Sequence, residues 1–180
     1  MFMRKLNAGV SLLTTVLLLD HAIFLSIWML SRGSIAKSSS FMPWVLVGSM
    51  VLHAIISIDQ AISAHANLPK QKVNQYPKLN KSTMVQRISG IAMAILLVVH
   101  IAGAANHFQP KILHAILHPL FFAIVLIHVA VSTSKSLITL GIGNAKFIRI
   151  VDISIKVICA ITLVLGIIGF YLCLFMWVAK

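Results

Sequence analysis

Five runs of apolar residues, each long enough to cross a lipid bilayer, leave this 180-residue chain little choice of fold. They cover about residues 7–31, 42–66, 85–106, 112–139 and 147–178. A hydrocarbon core about 30 Å thick is spanned by about 20 apolar residues in a helix. Lipid offers no partner to exposed backbone N–H and C=O groups, so such runs must satisfy them internally as α-helices. A mean hydropathy of +1.00, with 59% hydrophobic and 10% charged residues, excludes an ordinary soluble domain. The expected fold is an all-α membrane protein: one domain over residues 1–180, with five transmembrane helices in an up-down bundle whose sequential neighbours are adjacent. The runs are separated by "SRGSIAKSSS" (31–40), "NLPKQKVNQYPKLNKST" (67–83), "NHFQPK" (106–111) and "GIGNAK" (141–146), which are rich in helix breakers and too short for a second domain.

The opening "MFMRKLNAGVSLLTTVLLL" has the basic start and apolar body of a signal peptide. The run continues through Asp20 and His21 to Leu30 with no small-residue cleavage pattern, so it is read as a retained first helix. Cys159 and Cys173 both fall in the fifth run, fourteen residues apart, and cannot bridge each other along one helix. They read as apolar filler.

A net charge of +12 in a soluble chain would point to nucleic acid. Here the basic residues follow a membrane topology rule, and no nucleic-acid partner is expected. With the N-terminus in the cytoplasm, Arg4, Lys5, Lys70, Lys72, Lys78, Lys81, Arg87, Lys135, Lys146, Arg149 and Lys156 lie on or near the inner side. Only Arg32, Lys37, Lys111 and Lys180 lie outside. Eleven against four is a strong positive-inside bias, and Trp28, Trp44 and Trp177 fall at the outer helix ends, where interfacial tryptophans belong. The expected location is the cytoplasmic membrane, with the C-terminus outside. The basic inner loops suit anionic lipid head groups or a cytoplasmic partner.

Histidine is costly in a bilayer core, where it faces the bundle interior and pairs or binds something. His21, His53, His100 and His128 are embedded, one in each of the first four helices. Imidazole is a common axial donor to haem iron, and a bis-histidine haem draws one from each of two facing helices. Counting about 1.5 Å per residue, His128 lies roughly 10 Å above Lys135 and His53 roughly 14 Å below Trp44. His100 lies about 20 Å above Arg87, and His21 is as high or higher. Height therefore pairs His21 with His100 and His53 with His128, on diagonal helices of the bundle.

The stretches around these histidines are specific. "QRISGIAMAILLVVH" is similar to a Gln-Arg-x-[Ser/Thr]-Gly run ending in a haem-ligand histidine. "VLHAIISIDQAISA" and "LIHVAVSTSKSLITLGI" resemble second- and fourth-helix ligand motifs, and "GVSLLTTVLLLDHAIF" resembles the first more loosely. Nearly the whole chain thus resembles the five-helix dihaem cytochrome b anchor subunits of succinate:quinone oxidoreductases and quinol:fumarate reductases.

The resemblance implies two stacked b-type haems, with His21, His53, His100 and His128 as axial ligands, paired first helix with third and second with fourth. It also implies a membrane quinone, menaquinone first among them, and a flavoprotein and an iron–sulfur subunit on the cytoplasmic side. Dicarboxylate chemistry would belong to those partners, since no catalytic triad, phosphate loop or nucleotide fingerprint is present here. The absence of a Cys-x-x-Cys-His motif argues for noncovalent haem.

Arg87 and Ser89 at the inner end of the third helix, with Lys135 below His128, are expected to hold the propionates of the inner haem or simply to mark the interface. Gly90, Gly103 and Ser57 suit close approach of a macrocycle or of a neighbouring helix. His114 and His118, four apart on one face, line a quinone pocket or an interfacial polar face. His65 and His107 lie near helix ends. The chain departs from the family in having no glutamate, its only acids being Asp20, Asp59 and Asp152. Leu126 stands where the family can carry one of its proton-handling glutamates. Asp20, the one embedded acid near the quinone end, either accepts a quinol proton or hydrogen-bonds an imidazole. Two other functions fit less well: a cytochrome b anchor for a different soluble reductase, and a small-molecule transporter, for which no inverted repeat is evident.

The topology has a direct test. In a background lacking Cys159 and Cys173, an impermeant thiol reagent applied to whole cells is expected to label a cysteine at Ser38 and to spare one at Lys78. The opposite pattern inverts the orientation.

Overall fold

The computed structural model describes residues 2–31, 41–66, 81–106 and 111–178; the side chains of 64–66, 103–106, 111–114 and 176–178 fall outside the description. Arg32, Lys37, Lys70, Lys72, Lys78, His107 and Lys180 lie outside the described residues, as do the side chains of His65, Gly103, Lys111, His114 and Trp177. The chain is all-helical: α1 (Phe2–Leu30), α2 (Met42–Ala66), α3 (Lys81–Asn106), α4 (Lys111–Leu140) and α5 (Ala145–Val178). All five are long and apolar enough to cross a membrane. α1 begins at Phe2, earlier than the apolar run, and α3 at Lys81. Once a helix is nucleated each further polar residue adds a hydrogen bond at little cost, so helices run on past the apolar boundary.

The connection between α4 and α5 is fully determined by local chemistry. Gly141 (φ +74°) takes the left-handed conformation that ends a helix, its N–H bonding Ile138 O at 3.1 Å and the N–H of Ile142 reaching Leu137 O at 3.1 Å. These are the paired bonds of a Schellman cap. Asn144 then caps α5, its Oδ1 accepting the Phe147 N–H at 2.9 Å. Pro119 lies inside α4 and lacks the N–H that would bond Ala115 O. The Tyr171 hydroxyl of α5 donates to that carbonyl at 3.5 Å.

The packed helix pairs are α1 with α2, α4 and α5, and α4 with α3 and α5. α2 and α3, sequential neighbours expected to be adjacent, make no comparable backbone contact among the described residues. The reason lies in side-chain size. α1 buries Ala8, Ser11, Thr14, Thr15, Ala22 and Ser26, while α4 buries Ser132, Thr133 and Ser136. Small side chains let two helices approach closely, and hydroxyls add bonds across the seam. Ser136 Oγ donates to Ser11 Oγ at 3.1 Å. α2 and α3 instead turn rows of large residues outward, such as Ile55, Ile58 and Ile62 on one and Ile88, Ile91 and Ile95 on the other.

On α1, the residues meeting α2 (Asn7, Leu17, His21) and those meeting α5 (Ser26, Met29) flank Ser11, which meets α4. α2 and α5 therefore lie on different faces of α1. α1 to α4 form the bundle, and its interior is filled midway by Leu18, Met50, Met93, Val125 and Val129. Asn7 bonds Ser57 (3.1 Å), Lys135 bonds Gln86 (3.0 Å) and Ser134 bonds Asp152 (2.6 Å), so alternate helix starts and ends share one end of the bundle. Every described lysine and arginine side chain lies toward that end.

α5 seats on the seam through glycine. A Cβ on Gly166 would collide with the Phe122 ring and stand 3.0 Å from Ser26 Oγ; one on Gly48 would meet nothing within 4 Å. Gly166→Val is expected to destabilise the purified chain by about 1–3 kcal/mol through overpacking. Phe122→Ala in the same chain should recover part of the loss, and Gly48→Ala should be neutral. Thermal unfolding in detergent measures all three.

Candidate functional site

The interior holds the imidazoles. His128 of α4 is buried, at 9% exposure, and its Nδ1 lies 3.0 Å from Ser89 Oγ of α3. Gly90 lies against the same ring: a Cβ there would be 3.2 Å from His128 Cε1. His53 of α2 is half-buried and within electrostatic reach of His128. Its Nδ1 is buried with no hydrogen-bond partner. His21 lines a groove between α1 and α2 with Leu17, Asp20, Phe24, Met42 and Leu46. His100 of α3 packs on α4, its ring centroid 4.7 Å from His118 and 5.3 Å from Phe121; His118 in turn stacks on Phe170 of α5 at 5.7 Å.

Contacts set the heights of these side chains more directly than counting from helix ends. His53, four residues before the Ser57 that bonds Asn7, stands opposite about residue 11 of α1. His128, eight residues before the Ser136 that bonds Ser11, stands opposite about residue 19. His100, level with His118, stands opposite about residue 29. From the basic end the order is His53, His128, His21, His100. His128 and His21 are nearly level, about 3 Å apart by this count, so height in the assembled bundle does not by itself select the expected pairs His53–His128 and His21–His100. The members of each pair differ in height by about 12 Å at 1.5 Å per residue, more than the counts implied. Those counts took Trp44 and Lys135 as markers of fixed planes, whereas side-chain bonds set the register of the helices.

The polar residues around them separate into three groups. Lys135 Nζ reaches across to α3, donating to Gln86 Oε1 at 3.0 Å and Thr83 Oγ1 at 3.3 Å, below His128. Gln86 opens the α3 motif, so its part was visible there; Thr83 carried no signal. Arg87, next in the motif, is exposed. Ser89 is buried and engaged with His128. Asp152 is held by Ser134 and paired with Lys156. Asp20 is exposed on the outer surface of α1, one residue from His21 and aligned with the apolar Leu13, Val16, Ile23 and Ile27. Cys159 is buried in the core, and Cys173 donates to Met29 O at 3.4 Å.

These residues fit a haem in kind. Imidazole nitrogens are the required donors, and the buried Nδ1 of His53 is a polar atom the protein leaves unmatched. Gly90 leaves room at His128 that any other residue would fill. The filler between them includes Met50 and Met93, unbranched side chains that repack readily. No family model, curated protein or solved structure compared with the chain matches it.

Asp20 is exposed in the apolar half of α1, whereas Asp59, also exposed, lies near the basic end, and the reactivity of Asp20 tests that placement. A lipid-soluble carbodiimide on intact membranes is expected to modify Asp20 and to spare Asp152, read by peptide mass spectrometry. Modification of Asp152 with Asp20 untouched contradicts the arrangement.

Proposed function

We propose that this chain is the membrane-anchor cytochrome b of a succinate:quinone oxidoreductase or quinol:fumarate reductase complex, carrying electrons between a membrane quinone and cytoplasmic flavoprotein and iron–sulfur subunits. The observation that carries the reading is one buried or half-buried imidazole on each of the first four helices, set among the α3 run "QRISG" and its counterparts on α2 and α4. His53 and His128 hold the inner of two b haems, His21 and His100 the outer. Bound there, the haems supply one-electron carriers through an otherwise insulating bundle.

The remaining residues divide the other work. Lys135, oriented by Gln86 and Thr83, offers an ammonium to an anionic group such as a propionate beside His128. Arg87 stands on the neighbouring turn and completes the positive rim. At the other end, Asp20 and His21 line a shallow groove with Leu17, Phe24, Met42 and Leu46, an apolar surface against which an isoprenoid quinol would lie. As a quinol gave up two electrons, one at a time, to the outer haem, the carboxylate of Asp20 would accept the first of its two hydroxyl protons and pass it to water at the membrane surface before the second. His118, stacked on Phe170 and tilted against His100, extends the polar surface on the α3–α4 side. The basic end faces the cytoplasm and receives the soluble subunits.

The test is a pyridine haemochrome assay with spectra of the complex purified in mild detergent. Two haems per chain are expected. His53→Ala and His128→Ala should remove the same one, His21→Ala and His100→Ala the other. No haem in an intact assembled complex rejects the proposal, and loss of the same haem from His21 and His128 variants rejects the pairing. The identity of the co-purifying subunits separates this anchor from one serving a different reductase.

A further inference from the structure

The hydroxyl of Ser89 has one hydrogen and three neighbours. Its Oγ lies 2.7 Å from Val85 O and 3.2 Å from Gln86 O, both carbonyls that only accept, and 3.0 Å from His128 Nδ1. The shortest contact takes the hydrogen to Val85, so the hydroxyl presents a lone pair to the imidazole, and the hydrogen in that third contact comes from Nδ1. In a neutral ring a protonated Nδ1 leaves the lone pair on Nε2. Ser89 and His128 are 7% and 9% exposed, so water does not readily take over either role. Gly90 supplies the other constraint: the ring lies against its Cα, where a Cβ would stand 3.2 Å from Cε1 and 3.6 Å from Nδ1.

We propose that Ser89 and Gly90 form a socket on α3 that fixes the orientation and tautomer of His128, holding Nδ1 protonated and Nε2 available as a donor. Ser89 is a positioning residue here, acting on whatever Nε2 binds through the imidazole. A hydrogen bond from Nδ1–H raises the basicity of Nε2 and strengthens its hold on a metal. The consequence for haem rests on the function proposed above; the socket itself rests on the distances alone.

The two are tested separately. The full chain, labelled with ¹⁵N at histidine and placed in lipid nanodiscs, reports the tautomer of His128 by NMR, with signals assigned from His128→Gln. A dominant Nδ1–H form is expected in the native chain and in Ser89→Thr. In Ser89→Ala the population should move toward Nε2–H. The tautomer is read in the haem-free chain, where Nε2 is unligated, and an unchanged tautomer there in Ser89→Ala overturns the socket.

In the assembled complex, Ser89→Ala is expected to raise the midpoint potential of the haem that His128→Ala removes, since a weaker donor favours the reduced iron. The other haem should be unmoved, and Ser89→Thr should restore the native value. Gly90→Val should lower retention of the same haem by about 10–100-fold, the usual effect of disturbing a residue that orients a ligand. A tautomer shift in a chain that takes up no haem supports the socket and rejects the haem reading. A shift without any change in potential overturns the link between the two.

Discussion

The three-way packing of α1, α4 and α5 is the contact on which the rest of the bundle hangs, α5 lying most extensively against both of the others. In lipid there is no hydrophobic drive for one apolar helix to join another, so association depends on fit and on hydrogen bonds. α1 and α4 contribute both, with buried serines and threonines on each and the Ser11–Ser136 bond joining them toward the basic end. α2 attaches to α1, α3 attaches to α4, and α5 lies along the seam with Gly166 and Gly169 against Phe122, Ser26 and Met29. Because α2 and α3 attach to different members of the seam and barely touch each other, the interior between them is closed by side chains such as Met50 and Met93 rather than by backbone packing.

The two ends of the bundle are held by different chemistry. At the basic end the helices are linked by polar side chains: Asn7 to Ser57, Gln60 to Met3 O, Lys135 to Gln86 and Thr83, Ser134 to Asp152. At the other end the links are rings and sulfur: His100 on His118, His118 on Phe170, Cys173 on Met29 O. Lysine and arginine can hold their charge in water at one end, while Asp20 is left in the apolar half with only the neighbouring imidazole for company.

Within the proposed function, the helices differ in what they add to each imidazole. His128 is gripped by a neighbouring helix, His53 has a buried nitrogen without a partner, His21 borders a shallow groove, and His100 rests on another histidine. Four identical side chains thus sit in four electrostatic settings, and such settings are how a protein gives two chemically identical cofactors different potentials. The α3 run acquires a physical meaning in the same way. Gln86 orients Lys135, Ser89 meets Nδ1 of His128 and Gly90 leaves room for its ring, so three consecutive features of "QRISG" serve one neighbour on α4.

How much of this was legible beforehand depends on the range of the interaction. Five helices follow from run length, because lipid forbids an unbonded backbone; the α4–α5 turn follows from Gly141 and Asn144, whose capping bonds span a few residues. The four interior histidines stood out because a polar ring in an apolar run has a cost that something must offset. Which helices would touch was not legible. Small residues occur on every helix, and only the assembled bundle shows that α1 and α4 pack on each other and on α5 while α2 and α3 remain apart. The heights of His53 and His128 were off for the same reason: each was counted from its own helix end, whereas Asn7–Ser57 and Ser11–Ser136 set the true register. The contact of Ser89 with His128 spans 39 residues, and that of Lys135 with Gln86 spans 49. The sequence by itself determined the helices, their ends and the residues that lipid would not tolerate unpaired, since these depend on local bonding and on the solvent. The tertiary structure decided which of those residues meet, because that depends on the direction and size of side chains from helices distant in the chain.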